Sequence, residues 1–68
     1  MYSTASTNVA AWLVMNGFDI AEAKRLQGKM WFYFNEADDL QNVLDEYNTN
    51  DFLQRFIVAF RQVKATMR

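Results

Sequence analysis

Carboxylates are the most plentiful chemistry-bearing side chains in this chain, which has eight acidic residues, seven basic ones and no histidine or cysteine. Acid–base catalysis by Asp38, Asp39, Asp45 or Glu46 would need two carboxyl groups converging in a pocket. Their spacing instead predicts the outward, solvated side of a helix. A serine or threonine nucleophile needs an activating base. Ser3, Thr4, Ser6 and Thr7 have none nearby, and helix capping accounts for them. Glu46-x-Asn48-x-Asn50 imitates the opening of a calcium loop, but the expected glycine is Asp51 and the bidentate glutamate is replaced by Ile57, which cannot coordinate. Two isolated glycines cannot build a phosphate-binding loop. No catalytic, cofactor or metal residues are therefore assigned, and the chain is expected not to be an enzyme.

Binding chemistry centres on Met30-Trp31-Phe32-Tyr33-Phe34, where four of five residues are aromatic. In a strand, alternate residues face opposite ways. Met30, Phe32 and Phe34 then share the core face, while Trp31 and Tyr33 share the other. An indole and a phenol outside the core fit two partners. Unpaired bases could stack on them, with Lys24, Arg25 and Lys29 meeting phosphates. Alternatively they anchor a protein interface, for which Trp and Tyr are favoured. A third arrangement has the first helix covering both rings. The overall acidity favours a protein partner over nucleic acid.

Charge is unevenly placed. From Asn35 to Asp51 there are six acids and no base, whereas from Phe52 to Arg68 there are four bases and no acid. Arg61, Lys64 and Arg68 fall at i, i+3 and i+7 on one stripe near a helix C-terminus, where the helix dipole favours cations. That stripe is also a candidate charged interface, complementary to the acidic segment of a second subunit.

The elements that must position these residues form one small domain of 68 residues, 51% apolar and 16% aromatic, too apolar for a disordered chain. A first helix is expected from near Thr4 or Ser6 to Asn16-Gly17, apolar on nearly every side. Phe18 to Gln27 has helix propensity, with Asp19 and Glu22 resembling a capping box. The aromatic strand nevertheless needs a hydrogen-bonded neighbour, so a hairpin turning at Gln27-Gly28 is preferred. It places Phe18 and Ile20 with Phe32 and Phe34, and Asp19, Ala21 and Ala23 beside Trp31 and Tyr33. Asn35 is expected to cap a helix running to about Tyr47, with Ala37, Leu40, Val43, Leu44 and Tyr47 as its apolar stripe. Asn48 to Asp51 form a turn that caps a last helix, in which Phe52, Leu53, Phe56, Ile57, Phe60, Val63 and Met67 make a broad buried stripe. The expected fold is α+β in the order α-β-β-α-α, a two-stranded antiparallel hairpin packed on helices. A core this thin, with neither disulfide nor zinc ligands, points to a homodimer or larger assembly. No apolar run approaches the ~20 residues of a membrane span, and no signal peptide is recognisable. A cytosolic protein is expected.

Several short stretches together resemble a family. They are Ala10-Ala11-Trp12-Leu13 with Gly17-Phe18, Trp31-Phe32-Tyr33-Phe34, Leu40…Leu44…Tyr47, and Phe60-Arg61-x-Val63-Lys64. The chain is similar to a domain-of-unknown-function family of very small proteins found largely in phages and bacterial mobile elements. The resemblance covers nearly the whole chain and implies a helix–hairpin–helix–helix order, which supports the strand over Phe18 to Ala23. It implies no activity and no functional residues. The chain departs from the family's pattern between Tyr47 and Phe52, where the family's connection is longer.

Overall fold

The computed structural model describes residues 1–67; Arg68 lies outside them. Six elements follow one another: β1 (Tyr2–Thr4), α1 (Thr7–Met15), β2 (Ile20–Leu26), β3 (Lys29–Phe34), α2 (Leu40–Thr49) and α3 (Asp51–Thr66). The fold is α+β, as the sequence predicts. The sheet has three antiparallel strands in the order β1-β3-β2, so the aromatic strand is central and not the edge of a hairpin. The extra strand corrects the expected order. Thr4 is not in a helix; it pairs with Phe32 across the sheet, while Tyr2 pairs with Phe34. A three-residue strand has too little periodicity to be read locally, and only the free edge of β3 gives it partners.

Helix α1 starts at Ser6, whose Oγ accepts a 3.2 Å hydrogen bond from the Val9 amide. The buried Thr4 hydroxyl accepts another from the Ser6 amide. At the other end the Phe18 amide donates to Leu13 and the Gly17 amide to Val14, the paired bonds of a Schellman motif. Gly17 has the positive φ of 94° that this ending requires. Phe18 thereby turns back onto the core beside Leu13.

The hairpin forms where its turn requires it. Gln27 and Gly28 both have positive φ, 51° and 80°, which matches a two-residue type I′ turn between Leu26 and Lys29. High helix propensity between Ala21 and Leu26 is overridden because β3 needs a second neighbour. A β-bulge between Ile20 and Glu22 changes the register. Ala23 therefore pairs with Phe32, and Glu22 and Lys24 stand opposite Tyr33 and Trp31. The expected place of Ala23 beside Trp31 and Tyr33 is thus corrected, because one extra residue moves every later side chain to the other face.

One face of the sheet carries Phe32 and Phe34 against α1 and α2. Phe34 and Leu13 are fully buried, with Ala10, Leu40, Val43 and Leu44 around them and Tyr2, Val9, Trp12 and Phe18 at the margin. Asn35 does not cap α2. That helix begins after Asp39, which makes no side-chain cap bond, and Ala37 is exposed. The loop from 35 to 39 carries the chain from the sheet to the point where Leu40, Val43 and Leu44 can reach the core. Asn50 is shared by two helices: its amide donates to Glu46 to end α2, and its side chain accepts from the Leu53 amide to start α3. Gln54 donates a 2.6 Å bond to the Tyr47 carbonyl and fixes this corner.

Candidate interaction surfaces

Two surfaces of different chemistry are left open. On the outer face of the sheet, strand alternation and register align Trp31, Tyr33 and Lys29 of β3 with Glu22, Lys24 and Leu26 of β2 and Ser3 of β1. Trp31 and Tyr33 are half-buried by these strand neighbours. They are not covered by α1, which packs on the opposite face with Phe34. The Lys24 ammonium sits 5.6 Å from the centre of the Tyr33 ring and 3.3 Å from the Glu22 carboxylate. One face of Tyr33 is therefore already occupied by a cation, a contact worth about 0.5–1 kcal/mol at an exposed site. Of the residues expected here, Trp31, Tyr33, Lys24 and Lys29 share the face. Arg25 does not, since it pairs with Met30 and points to the other side.

The second surface is α3. Its sequence stripe is not buried within the chain: among the seven residues, only Ile57 is buried and only Leu53 partly so. Phe52, Phe56, Phe60, Val63 and Met67 are open to solvent, Phe52 at 82% and Phe60 at 51% exposure. The reason is geometric. Beyond the Asn50 corner, α3 packs chiefly on α2, and a helix of 16 residues extends about 24 Å, past the ten-residue α2. The rings of Phe56 and Phe60 stack on each other at 6.2 Å. A recess between α1 and α3, lined by Ala11, Trp12, Met15, Tyr47, Leu53 and Phe56, runs alongside them. A second recess lies on the helix itself among Phe52, Arg55, Phe56 and Ala59. A compact 8.0 kDa monomer is expected to expose about 4,450 Å², whereas this chain exposes 5351 Å².

Arg61 and Lys64 are exposed on α3, and the Lys64 ammonium lies 5.6 Å over the Phe60 ring. The third residue of that predicted stripe, Arg68, lies outside the described residues. The acids Asp38, Asp39, Asp45 and Glu46 are all exposed. The recess between α1 and α3 is invisible in the sequence, because it depends on how α3 leaves the corner. The only hint was the density of phenylalanine at Phe52, Phe56 and Phe60 in so short a chain.

No helix among the described residues is long and apolar enough to cross a membrane. No curated protein and no solved structure matches the chain. The model of one family, DUF5659, a domain of unknown function, matches residues 1–68, and the chain belongs to that family.

Proposed function

We propose that the chain is a non-enzymatic interaction module that works through protein–protein contacts, self-association among them. The observation that carries this reading is the open apolar face of α3, where three phenylalanines, a valine and a methionine are solvated together. Contiguous apolar patches of this kind mark interaction sites in soluble proteins. The surplus of about 900 Å² over a compact monomer is close to the ≈ 800 Å² that each partner contributes to a standard interface. Covering it would also supply the burial that a 68-residue core lacks. A cytosolic setting, with phage or mobile-element origin as the family resemblance implies, belongs to the same reading. Sedimentation at micromolar concentration tests it: the expected mass is twice 8.0 kDa. A monomer whose melting is independent of concentration overturns the self-association.

One observation favours a second reading, single-stranded nucleic-acid binding. Trp31 and Tyr33 stand on the open face of the central strand with Lys24 and Lys29 beside them. Bases stacking on Trp31 would change its fluorescence, and affinity would fall steeply with salt. Emission unaffected by added oligonucleotide rejects it.

A further inference from the structure

We infer that the partner of α3 is the α3 of a second copy of this chain, packed antiparallel about a two-fold axis between residues 57 and 58. The inference rests on the self-association reading above and adds the surface, the orientation and the register.

The first argument is the order of side-chain sizes along the open face. Phe52, Phe56, Ala59 and Val63 follow one another at spacings of four, three and four residues, the spacing of a helix–helix seam. In an antiparallel pair centred between residues 57 and 58, Phe52 meets Val63 of the second copy and Phe56 meets Ala59. Every layer then joins a large side chain to a smaller one, so the two helices stay evenly spaced. A parallel pair would stack Phe52 on itself and Phe56 on itself, then Ala59 on itself. That alternation of thick and thin layers leaves voids at the alanine. The recess among Phe52, Arg55, Phe56 and Ala59 is the hole that the opposite Phe56 would enter.

The flanks of the seam agree. Leu53, Phe60 and Met67 lie on the flank of the seam nearer the buried Ile57, with Leu53 half-buried and the other two exposed. In the antiparallel arrangement like flanks meet, so Phe60 comes beside Leu53 of the second copy. Leu53 lines the apolar recess between α1 and α3, with Ala11 and Met15 on its far wall. Knob and recess belong to the same face of one molecule, which a two-fold interface requires. On the other flank Arg55 comes beside the neutral Gln62, not beside another cation.

Charge selects the same orientation. The C-terminal half of α3 carries Arg61 and Lys64 without an acid, and the corner that precedes it carries Asp45, Glu46 and Asp51 without a base. Antiparallel pairing brings these oppositely charged ends near each other, and parallel pairing sets like ends side by side. This acts through the field of the ends, since Arg61 lies on the side of α3 away from the seam.

Because the chain has no cysteine, introduced thiols report on this contact alone. Arg55→Cys with Gln62→Cys in one chain is expected to give an interchain disulfide between positions 55 and 62, mapped by proteolysis and mass spectrometry. Within one helix these positions are about 10 Å apart along the axis, beyond the reach of a disulfide. Size exchange supplies the second test. Ala59→Phe is expected to weaken the dimer at least tenfold, and adding Phe56→Ala to recover most of that loss. A dimer that shows no 55–62 bridge, or links 55 to 55, or ignores Ala59→Phe, overturns the antiparallel seam and leaves self-association standing. A chain that is monomeric at every concentration overturns both.

Discussion

The indole Nε1 of Trp12 donates a 2.8 Å hydrogen bond to the backbone carbonyl of Val43, tying the middle of α1 to the middle of α2. The same indole stands 6.2 Å from the Tyr47 ring, and both rings line the recess that α3 completes. Trp12 is therefore the joint between the sheet-bearing half of the fold and the helical corner. Trp12→Phe keeps much of the apolar contact and removes the donor. The expected loss is about 1 kcal/mol, read as a lower melting temperature, and Trp12→Leu is expected to cost more. Unchanged melting in Trp12→Phe would mean that the bond contributes nothing.

The two helix caps should be measurable separately. Ser6 and Asn50 each accept one amide hydrogen bond at a helix start. Replacing either by alanine is expected to cost about 0.5–2 kcal/mol. Asn50 also ends α2, but through its backbone amide, which alanine keeps, so the loss in Asn50→Ala should be confined to the start of α3. Faster hydrogen exchange at Leu53 in that variant, with Val9 unaffected, is the expected signature.

The turn of the hairpin carries a further expectation. Gln27 adopts positive φ without being glycine or asparagine, a conformation that costs roughly 1 kcal/mol in most side chains. Gln27→Asn or Gln27→Gly should therefore stabilise the protein by a few tenths of a kcal/mol or more. Gly28→Ala, at φ 80°, should destabilise it. The measurement is chemical denaturation of all three variants, and a loss on Gln27→Asn would contradict the type I′ assignment.

Exposed phenylalanines on α3 separate folding from assembly. Phe52→Ser removes a side chain that is 82% exposed within its own chain. At concentrations low enough to keep the chain monomeric, the expected change in stability is within about 0.5 kcal/mol. At micromolar concentration the same variant should sediment lighter than the parent. A large loss of monomer stability would instead place Phe52 in the fold of a single chain.

Charge reversal tests the ends of that interface. Arg61→Glu with Lys64→Glu should weaken self-association, more at low salt than at high. Asp45→Lys with Glu46→Lys, introduced into the same chain, should restore it. If the reversal lowers stability modestly and leaves assembly unchanged, the two cations act on their own helix end only.

For the sheet face, Trp31→Ala is expected to reduce single-strand affinity by about 1–3 kcal/mol if bases stack there. Circular dichroism should show the fold intact. An oligonucleotide affinity too weak to measure in the parent chain removes that reading altogether.

Much of this protein was legible in local sequence, because caps and turns are decided by neighbours within a few residues. Asn16-Gly17 ends α1, Gln27-Gly28 closes the hairpin and Asn50 starts α3, each through its own backbone conformation or side-chain bond. The alternation of Met30 to Phe34 placed Phe34 in the core and Trp31 and Tyr33 on the other face. Tertiary structure decided what proximity along the chain cannot. Tyr2–Thr4 became a strand because β3 had a free edge. Asn35 lost its cap because the chain had first to cross from the sheet to α2. Arg25 left the company of Lys24 and Lys29 because it pairs opposite Met30. The largest difference is α3, where helical periodicity identified an apolar face and read it as buried. Periodicity reports which side of a helix avoids water, whereas the supply of other elements decides what covers it. With α2 covering little beyond Leu53 and Ile57, the face at Phe52, Phe56, Phe60 and Val63 is left open to solvent.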